Sequence, residues 1–114
     1  MIDGIGIDVV DIERFKSSLE RTPGLLEKLF TDNERSKPIH SLAARFAAKE
    51  ALAKALSAGK GLNWHHAEVF NLENGKPVFL FHGDIAELVD GAVVHLSLSH
   101  DAGIASAMVI VEHR

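Results

Sequence analysis

The chain has no cysteine. That absence removes a disulfide framework, a thiolate zinc site and a thiol nucleophile together, and it is compatible with the reducing cytosol of a cytoplasmic protein. No run approaches the roughly 18 apolar residues of a membrane span, so no membrane association is expected. Basic residues are in deficit, 12 Lys and Arg against 16 Asp and Glu, for a formal charge of −4. This argues against the broad positive field of a general nucleic-acid binder. The N-terminus opens Met1-Ile2-Asp3-Gly4, acidic where a secretory leader would be basic, so no signal peptide is expected. Repeats, low-complexity tracts and linkers are also missing. What is present, 114 residues with 46% hydrophobic and 25% charged, is ordinary for one globular domain spanning 1–114 with one core.

The most informative stretch is Arg45-Phe46-Ala47-Ala48-Lys49-Glu50-Ala51-Leu52-Ala53-Lys54. At about 100° per residue, Arg45 and Lys49 share one face of a helix, and Glu50 and Lys54 share another. Ile39, Leu42, Phe46 and Ala53 fall between them, and Ala44, Ala48, Ala51 and Ala55 fill the remaining side. The helix has no wet stripe, so some of these charges must point into a cleft or the interior. There they need an ion, a ligand or a partner charge.

Residues 2–10 read as a strand, with Ile5, Ile7 and Val9 on one face and Gly4, Gly6 and Asp8 on the other. A helix over 11–20 follows, with Asp11 as N-cap. Pro23-Gly24 interrupts it, and a short second helix runs to Leu29. Thr31-Asp32-Asn33-Glu34 fits a capping box. Pro38 suits the first turn of the long helix, which should end near Ala58-Gly59. Two strands, 67–72 and 77–82, flank a hairpin signal containing Asn74-Gly75. A short helix over 84–89 is expected, capped by Asp84 and stopped by Gly91. Residues 92–99 alternate as a strand. Residues 103–112 are apolar on both faces, which predicts a strand buried twice and extra burial against other subunits. The expected architecture is α+β, a mostly antiparallel sheet with helices on one face.

Two carboxylates, such as Asp8 and Glu50, are a usual way to hold Mg²⁺, with waters and substrate phosphates completing the shell. Arg45, Lys49 and Lys54 supply the cations a phosphate-rich ligand needs. Together they point to phosphoryl or pyrophosphate chemistry. Gly4-Ile5-Gly6 lacks the third glycine and the helix of a dinucleotide fingerprint, and Gly75-Lys76 lacks the Ser/Thr of a phosphate loop. Ser97-Leu98-Ser99-His100-Asp101 cannot form a hydrolase triad, because adjacent strand residues face opposite ways; a strand end meeting phosphate or ribose is the better functional reading. His65-His66 lacks a third metal ligand and reads as loop. Arg14 and Arg21 share a helix face, either solvated or a small basic patch that docks an acidic partner.

Gly4-Ile5-Gly6-Ile7-Asp8, Phe30-Thr31-Asp32-Asn33-Glu34, the 45–54 stretch, Asn74-Gly75-Lys76-Pro77 and Leu96-Ser97-Leu98-Ser99-His100-Asp101 occur in that order. This arrangement closely resembles the holo-acyl-carrier-protein synthases, the small trimeric class of 4′-phosphopantetheinyl transferases, over nearly the whole chain. The resemblance implies the 4′-phosphopantetheinyl transferase fold. It also implies magnesium-dependent transfer of 4′-phosphopantetheine from coenzyme A to a serine of apo-acyl carrier protein, supporting fatty acid biosynthesis. Adenosine 3′,5′-bisphosphate would be the other product. It assigns Asp8 and Glu50 as magnesium ligands and Lys54, with them, as catalytic, assisting the leaving phosphate. Arg45, Lys49, Lys54, Gly75, Lys76, Pro77, Ser99 and His100 would line the coenzyme A site. Arg14 and Arg21 would meet the carrier protein, and a homotrimer would place its sites between subunits. The 34–45 segment is shorter than in many members, which bears on the helix entry and the carrier-docking surface. A magnesium-dependent nucleotide pyrophosphohydrolase and a non-catalytic module that docks acidic helices through Arg14 and Arg21 are the competing readings.

Overall fold

Two glycines decide how the first strand meets the long helix. In the computed structural model, which describes residues 1–58 and 62–113, β1 (Ile2–Asp11) lies directly against α4 (Ile39–Ala55). A Cβ at Gly4 would sit 1.8 Å from the Ala55 carbonyl oxygen, and one at Gly6 1.8 Å from that of Ala51. No side chain fits between the backbones, so the bare face of β1 and the alanines of α4 form one close-packed seam. Ala43, Ala47, Ala48, Ala51 and Leu52 are fully buried as a result.

β1 pairs antiparallel with β5 (Ile104–His113), which pairs antiparallel with β4 (Ala92–Asp101). Asp8 lies opposite Ala107, and Ile7 opposite Met108. The β4–β5 turn carries Ala102 and Gly103 at φ +50° and +79°, the handedness that suits a two-residue hairpin. Between β1 and α4 run α1 (Ile12–Arg21), α2 (Leu25–Leu29) and α3 (Asp32–Arg35). Asp11 caps α1 by accepting from the Arg14 N–H, and Thr31 with Glu34 forms the capping box of α3. Pro38 is the N-cap of α4. After α4 come a 3₁₀ turn (Trp64–His66), β2 (Ala67–Asn71), β3 (Pro77–Phe81) and α5 (Gly83–Leu88). The α+β architecture with antiparallel pairing is as the sequence predicts.

Several details differ. The strands form a three-stranded sheet, β1-β5-β4, and a separate β2-β3 hairpin. The N-cap of α5 is His82, with Asp84 inside the first turn. His65 and His66 sit in the 3₁₀ turn, where Asn63 accepts from the His65 N–H. α4 ends at Ala55, and the terminator expected at Gly59 lies outside the described residues. The largest difference concerns β5. Ala105, Ala107, Val109 and Val111 are buried against α4's side of the sheet, but Met108 is 44% exposed. Helices of one chain cover only one face of this sheet. The other face leaves Ile5, Ile7 and Val9 more than half exposed beside Met108, so the double burial expected of β5 does not occur within one chain.

Candidate active site

The seam formed at Gly4 and Gly6 carries Asp8, two residues further along the same strand face, to the side of α4 that bears Glu50 and Lys54. The Lys54 ammonium donates to the Ile7 carbonyl at 2.8 Å and to Asp8 Oδ1 at 3.2 Å. Glu50 is half-buried, and its carboxyl is held above its ordinary range. Burial is the main cause, the charge of Asp8 adds to it, and Lys54 opposes it. Asp8, Glu50 and Lys54 therefore converge as the sequence predicts, at the joint of β1 and α4.

Asp8 and Glu50 open onto a pocket of about 350 Å³ that Arg14, Ser18, Phe15 and Phe46 also line. The Phe15 and Phe46 rings stack at 5.0 Å and form its apolar wall. The charge of Asp8 adds to the cost of ionising Glu50, one ammonium lies beside them, and two carboxylates so placed fit a hard divalent cation. Among the described residues no group of three His, Cys, Asp or Glu gathers into an all-protein metal cage. Two carboxylates with the remaining positions left to water and phosphate oxygens match Mg²⁺, which sheds its waters reluctantly. Two of the three Lys54 donors are used, which leaves one for an anion in the same place.

Arg45 belongs to a second pocket, of about 200 Å³, shared with His40, Ser41, Asn71, Ser99 and His100. The guanidinium is almost wholly buried. Nη1 donates to Ser41 Oγ and Nη2 to Asn71 Oδ1 at 2.8 Å, while Nε is buried without a partner among the described residues. Burial lowers the Arg45 pKa against the opposing charges of Glu34 and Glu68. The Gly75-Lys76-Pro77 turn caps the β2-β3 hairpin and reaches this pocket through Asn71, whose Nδ2 donates to the Gly75 carbonyl at 3.0 Å. Gly75 itself has φ +88°, as a tight turn needs. The two pockets share no lining residue. Arg45 and Glu50 are five residues apart, about 140° around α4, so one chain presents its anion pocket and its carboxylate pocket in different directions.

Lys49 is a correction. The helical spacing places it beside Arg45 as a lining residue, but its ammonium has no exposed surface. It donates to the Leu29 carbonyl at 2.8 Å, to Glu34 Oε1 at 2.6 Å and to the Trp64 carbonyl at 3.0 Å, and it lies over the Phe30 ring. All three donors are taken, so Lys49 is not available to a ligand. Burial lowers its pKa against the pull of Glu34. Glu34 also accepts from the Thr31 N–H at 3.0 Å and the Val69 N–H at 2.9 Å. The buried pair thus ties α4 to α2, α3, the 3₁₀ turn and β2.

Arg14 lies at the edge of the carboxylate pocket. Arg21, two turns along α1, is exposed and, among the described residues, donates only to the Ser17 carbonyl. Arg14 thus sets one basic side chain beside Asp8 and Glu50, with Arg21 further along the exposed surface of α1. Asn71, Ser41 and His40 went unnoticed in the sequence. Asn71 falls inside the strand expected over 67–72, and nothing local marks it as a partner of an arginine 26 residues away.

Residues 4–105 match the family model of the 4′-phosphopantetheinyl transferase superfamily. The holo-[acyl-carrier-protein] synthase of Leifsonia xyli is 53% identical over 115 residues, covering 98% of each chain. That of Clavibacter michiganensis is 54% identical, covering 98% of this chain and 97% of its own. Among solved structures, Mycobacterium tuberculosis acyl carrier protein synthase superposes with a TM-score of 0.83 at 35% identity, over 100% of both chains. A holo-(acyl-carrier-protein) synthase from Bacillus anthracis, in complex with CoA (3′,5′-ADP), has a TM-score of 0.83 at 35% identity, over 100% of this chain and 99% of that one.

Proposed function

Because the chain belongs to the 4′-phosphopantetheinyl transferase superfamily, among the holo-acyl-carrier-protein synthases, we propose that it moves 4′-phosphopantetheine from coenzyme A to a serine of apo-acyl carrier protein. The serine hydroxyl oxygen attacks the β-phosphorus of the pyrophosphate. The bond to the bridging oxygen breaks, and adenosine 3′,5′-bisphosphate leaves, taking up the negative charge as the serine proton is released. The observation that carries this reading is the convergence of Asp8, Glu50 and Lys54 at the β1–α4 joint.

Asp8 and Glu50 would hold Mg²⁺, whose bound charge offsets the charge that builds on the transferring and leaving oxygens. Lys54, with a donor to spare, stabilises the departing bisphosphate. Arg45 and His100 bind its 3′-phosphate or ribose, with Ser99 beside them and the Gly75-Lys76-Pro77 turn against the nucleotide. Arg14 and Arg21 meet acidic residues of the carrier protein and bring its serine to the carboxylate pocket. Positioning and fixed charge supply most of the rate enhancement.

The two pockets face different ways on one chain, so one coenzyme A reaches both only where a second copy supplies the other pocket. The exposed face built from Ile5, Ile7, Val9 and Met108 is the surface on which copies pack. A homotrimer, as in the class the sequence resembles, completes its sites between neighbours. The reaction serves fatty acid biosynthesis in the cytoplasm. No helix among the described residues is long and apolar enough to cross a membrane.

Incubation with coenzyme A and apo-carrier protein, followed by intact-mass spectrometry, tests the reading. A phosphopantetheinyl mass should appear on the carrier, and EDTA should abolish it. Asp8→Ala and Glu50→Ala should each remove transfer while circular dichroism stays native. Coenzyme A cleavage without carrier modification would replace the transferase with a pyrophosphohydrolase. Transfer indifferent to EDTA would remove the metal.

A further inference from the structure

The transferase reading uses Arg45 and the Gly75-Lys76-Pro77 turn as separate contributors, and one side chain joins them. Asn71, the last residue of β2, accepts from Arg45 Nη2 on Oδ1 at 2.8 Å and donates from Nδ2 to the Gly75 carbonyl at 3.0 Å. A guanidinium only donates and a carbonyl only accepts, so the orientation of the carboxamide is fixed by its partners. The turn is braced further. The Leu72 N–H donates to the Lys76 carbonyl, the Gly75 N–H to the Leu72 carbonyl, and the Lys76 N–H to Asn74 Oδ1. Movement of the hairpin tip therefore moves the amide, and movement of the amide releases the guanidinium.

Arg45 is 3% exposed and not saturated. Ser41 and Asn71 hold its two terminal nitrogens, while Nε is buried without an acceptor among the described residues. A buried donor left unpaired is costly, and an anionic oxygen is the group that would satisfy it. Arg45 and Asn71 also line a larger pocket that includes Glu68 and Lys37, but the one they share with His40, Ser41, Ser99 and His100 holds no carboxylate, in a chain whose formal charge is −4. Its chemistry is that of a phosphate subsite.

We infer that Asn71 is a positioning residue for the nucleotide substrate: its carboxamide locks Arg45 and the Gly75-Lys76-Pro77 turn at one separation, so that a phosphate on the guanidinium and the nucleotide at the turn bind as a unit. Only a side chain with an acceptor and a donor on one planar head does this. Alanine offers neither, and aspartate cannot donate to Gly75. The inference rests on the transferase reading for the identity of the substrate.

Asn71 is exposed, so Asn71→Ala leaves the core intact. With apo-carrier protein as acceptor, the KM for coenzyme A should rise about tenfold, the loss of a charge-assisted hydrogen bond, with kcat within about twofold. The KM for 3′-dephospho-coenzyme A should rise less than about threefold, because the group that Arg45 holds is missing. Calorimetric binding of adenosine 3′,5′-bisphosphate should weaken by the same factor as the coenzyme A KM, and that of AMP should not. An unchanged KM for coenzyme A, or the same factor on both substrates, overturns the inference. Should the wild-type chain modify no carrier, the transferase reading fails, and the two calorimetric titrations still decide the role of Asn71.

Discussion

Gly6→Ala tests whether the β1–α4 seam sets both stability and the catalytic geometry. The added Cβ would lie 1.8 Å from the Ala51 carbonyl oxygen, whereas ordinary contact begins at 3.4 Å, so α4 must retreat about 1.6 Å or β1 must buckle. A gap of only about 0.5–1 Å already forfeits a quarter to a half of the dispersion well between facing atoms. The strip that opens includes Ala47, Ala48, Ala51 and Leu52, all fully buried. Overpacking that side chains can absorb costs about 1–3 kcal/mol. Here the obstructing atom is helix backbone, so the loss should be about 3 kcal/mol or more, out of the roughly 5–15 that hold a domain together. For a chain of this length that is a fall in Tm of about 10–15 °C. The same retreat moves Glu50 and Lys54 away from Asp8, and misplacement by about 1 Å costs roughly a hundredfold in rate. Thermal unfolding followed by circular dichroism and the mass-spectrometric transfer assay read the two effects. Gly24→Ala is the control: its Cβ would meet nothing within 4 Å at φ +86°, so it pays only the left-handed backbone penalty of about 1–2 kcal/mol and leaves turnover unchanged. A Gly6→Ala protein that melts within about 3 °C of wild type and turns over normally would refute the reasoning.

Lys49→Met should cost about 3 kcal/mol in urea unfolding, because it strands the buried Glu34 carboxylate; a loss below about 1 kcal/mol would demote the pair to a surface-like contact. Asp3 raises the His113 pKa chiefly through their hydrogen bond. A raised folded pKa means the stabilisation is full below the unfolded histidine value of about 6.5 and disappears as pH rises through the folded value. Wild type and Asp3→Asn should therefore differ in Tm near pH 6 and converge in alkaline buffer; a difference that grows with pH would reverse the assignment. Arg14→Glu should raise the KM for carrier protein about tenfold, a scale typical of a reversed interfacial charge, and spare that for coenzyme A; an unchanged carrier KM removes α1 from docking.

The long helix was legible because its charges and alanines leave no face for water, and this alone led to Glu50 and Lys54. Asp8 was legible as the end of a strand face stripped by Gly4 and Gly6. Why that face is bare was not, since the close approach of α4 is a tertiary fact that neither segment encodes locally. Lys49 was misplaced for the same kind of reason. Helical spacing puts it beside Arg45, but whether an ammonium finds a ligand or a buried carboxylate depends on Glu34, whose capping-box role looks complete in the sequence. β5 is apolar on both faces and so reads as a strand buried twice, but the helices of one chain cover only one of those faces. Asn71 carried no signal at all, because its two partners meet it only after the hairpin closes against α4.

β1 serves two masters through its alternation. Its bare side seats the helix that aims Glu50, and its branched side, Ile5, Ile7 and Val9, stays exposed, the face on which the proposed trimer would pack. A strand three side chains wide cannot shift on one side without shifting on the other. Were assembly to complete the site, specific activity should depend on how much enzyme is in the tube: dilution below the dissociation constant of the assembly would silence each chain without unfolding it, and the cell's stock of the protein would become, in effect, its own activator.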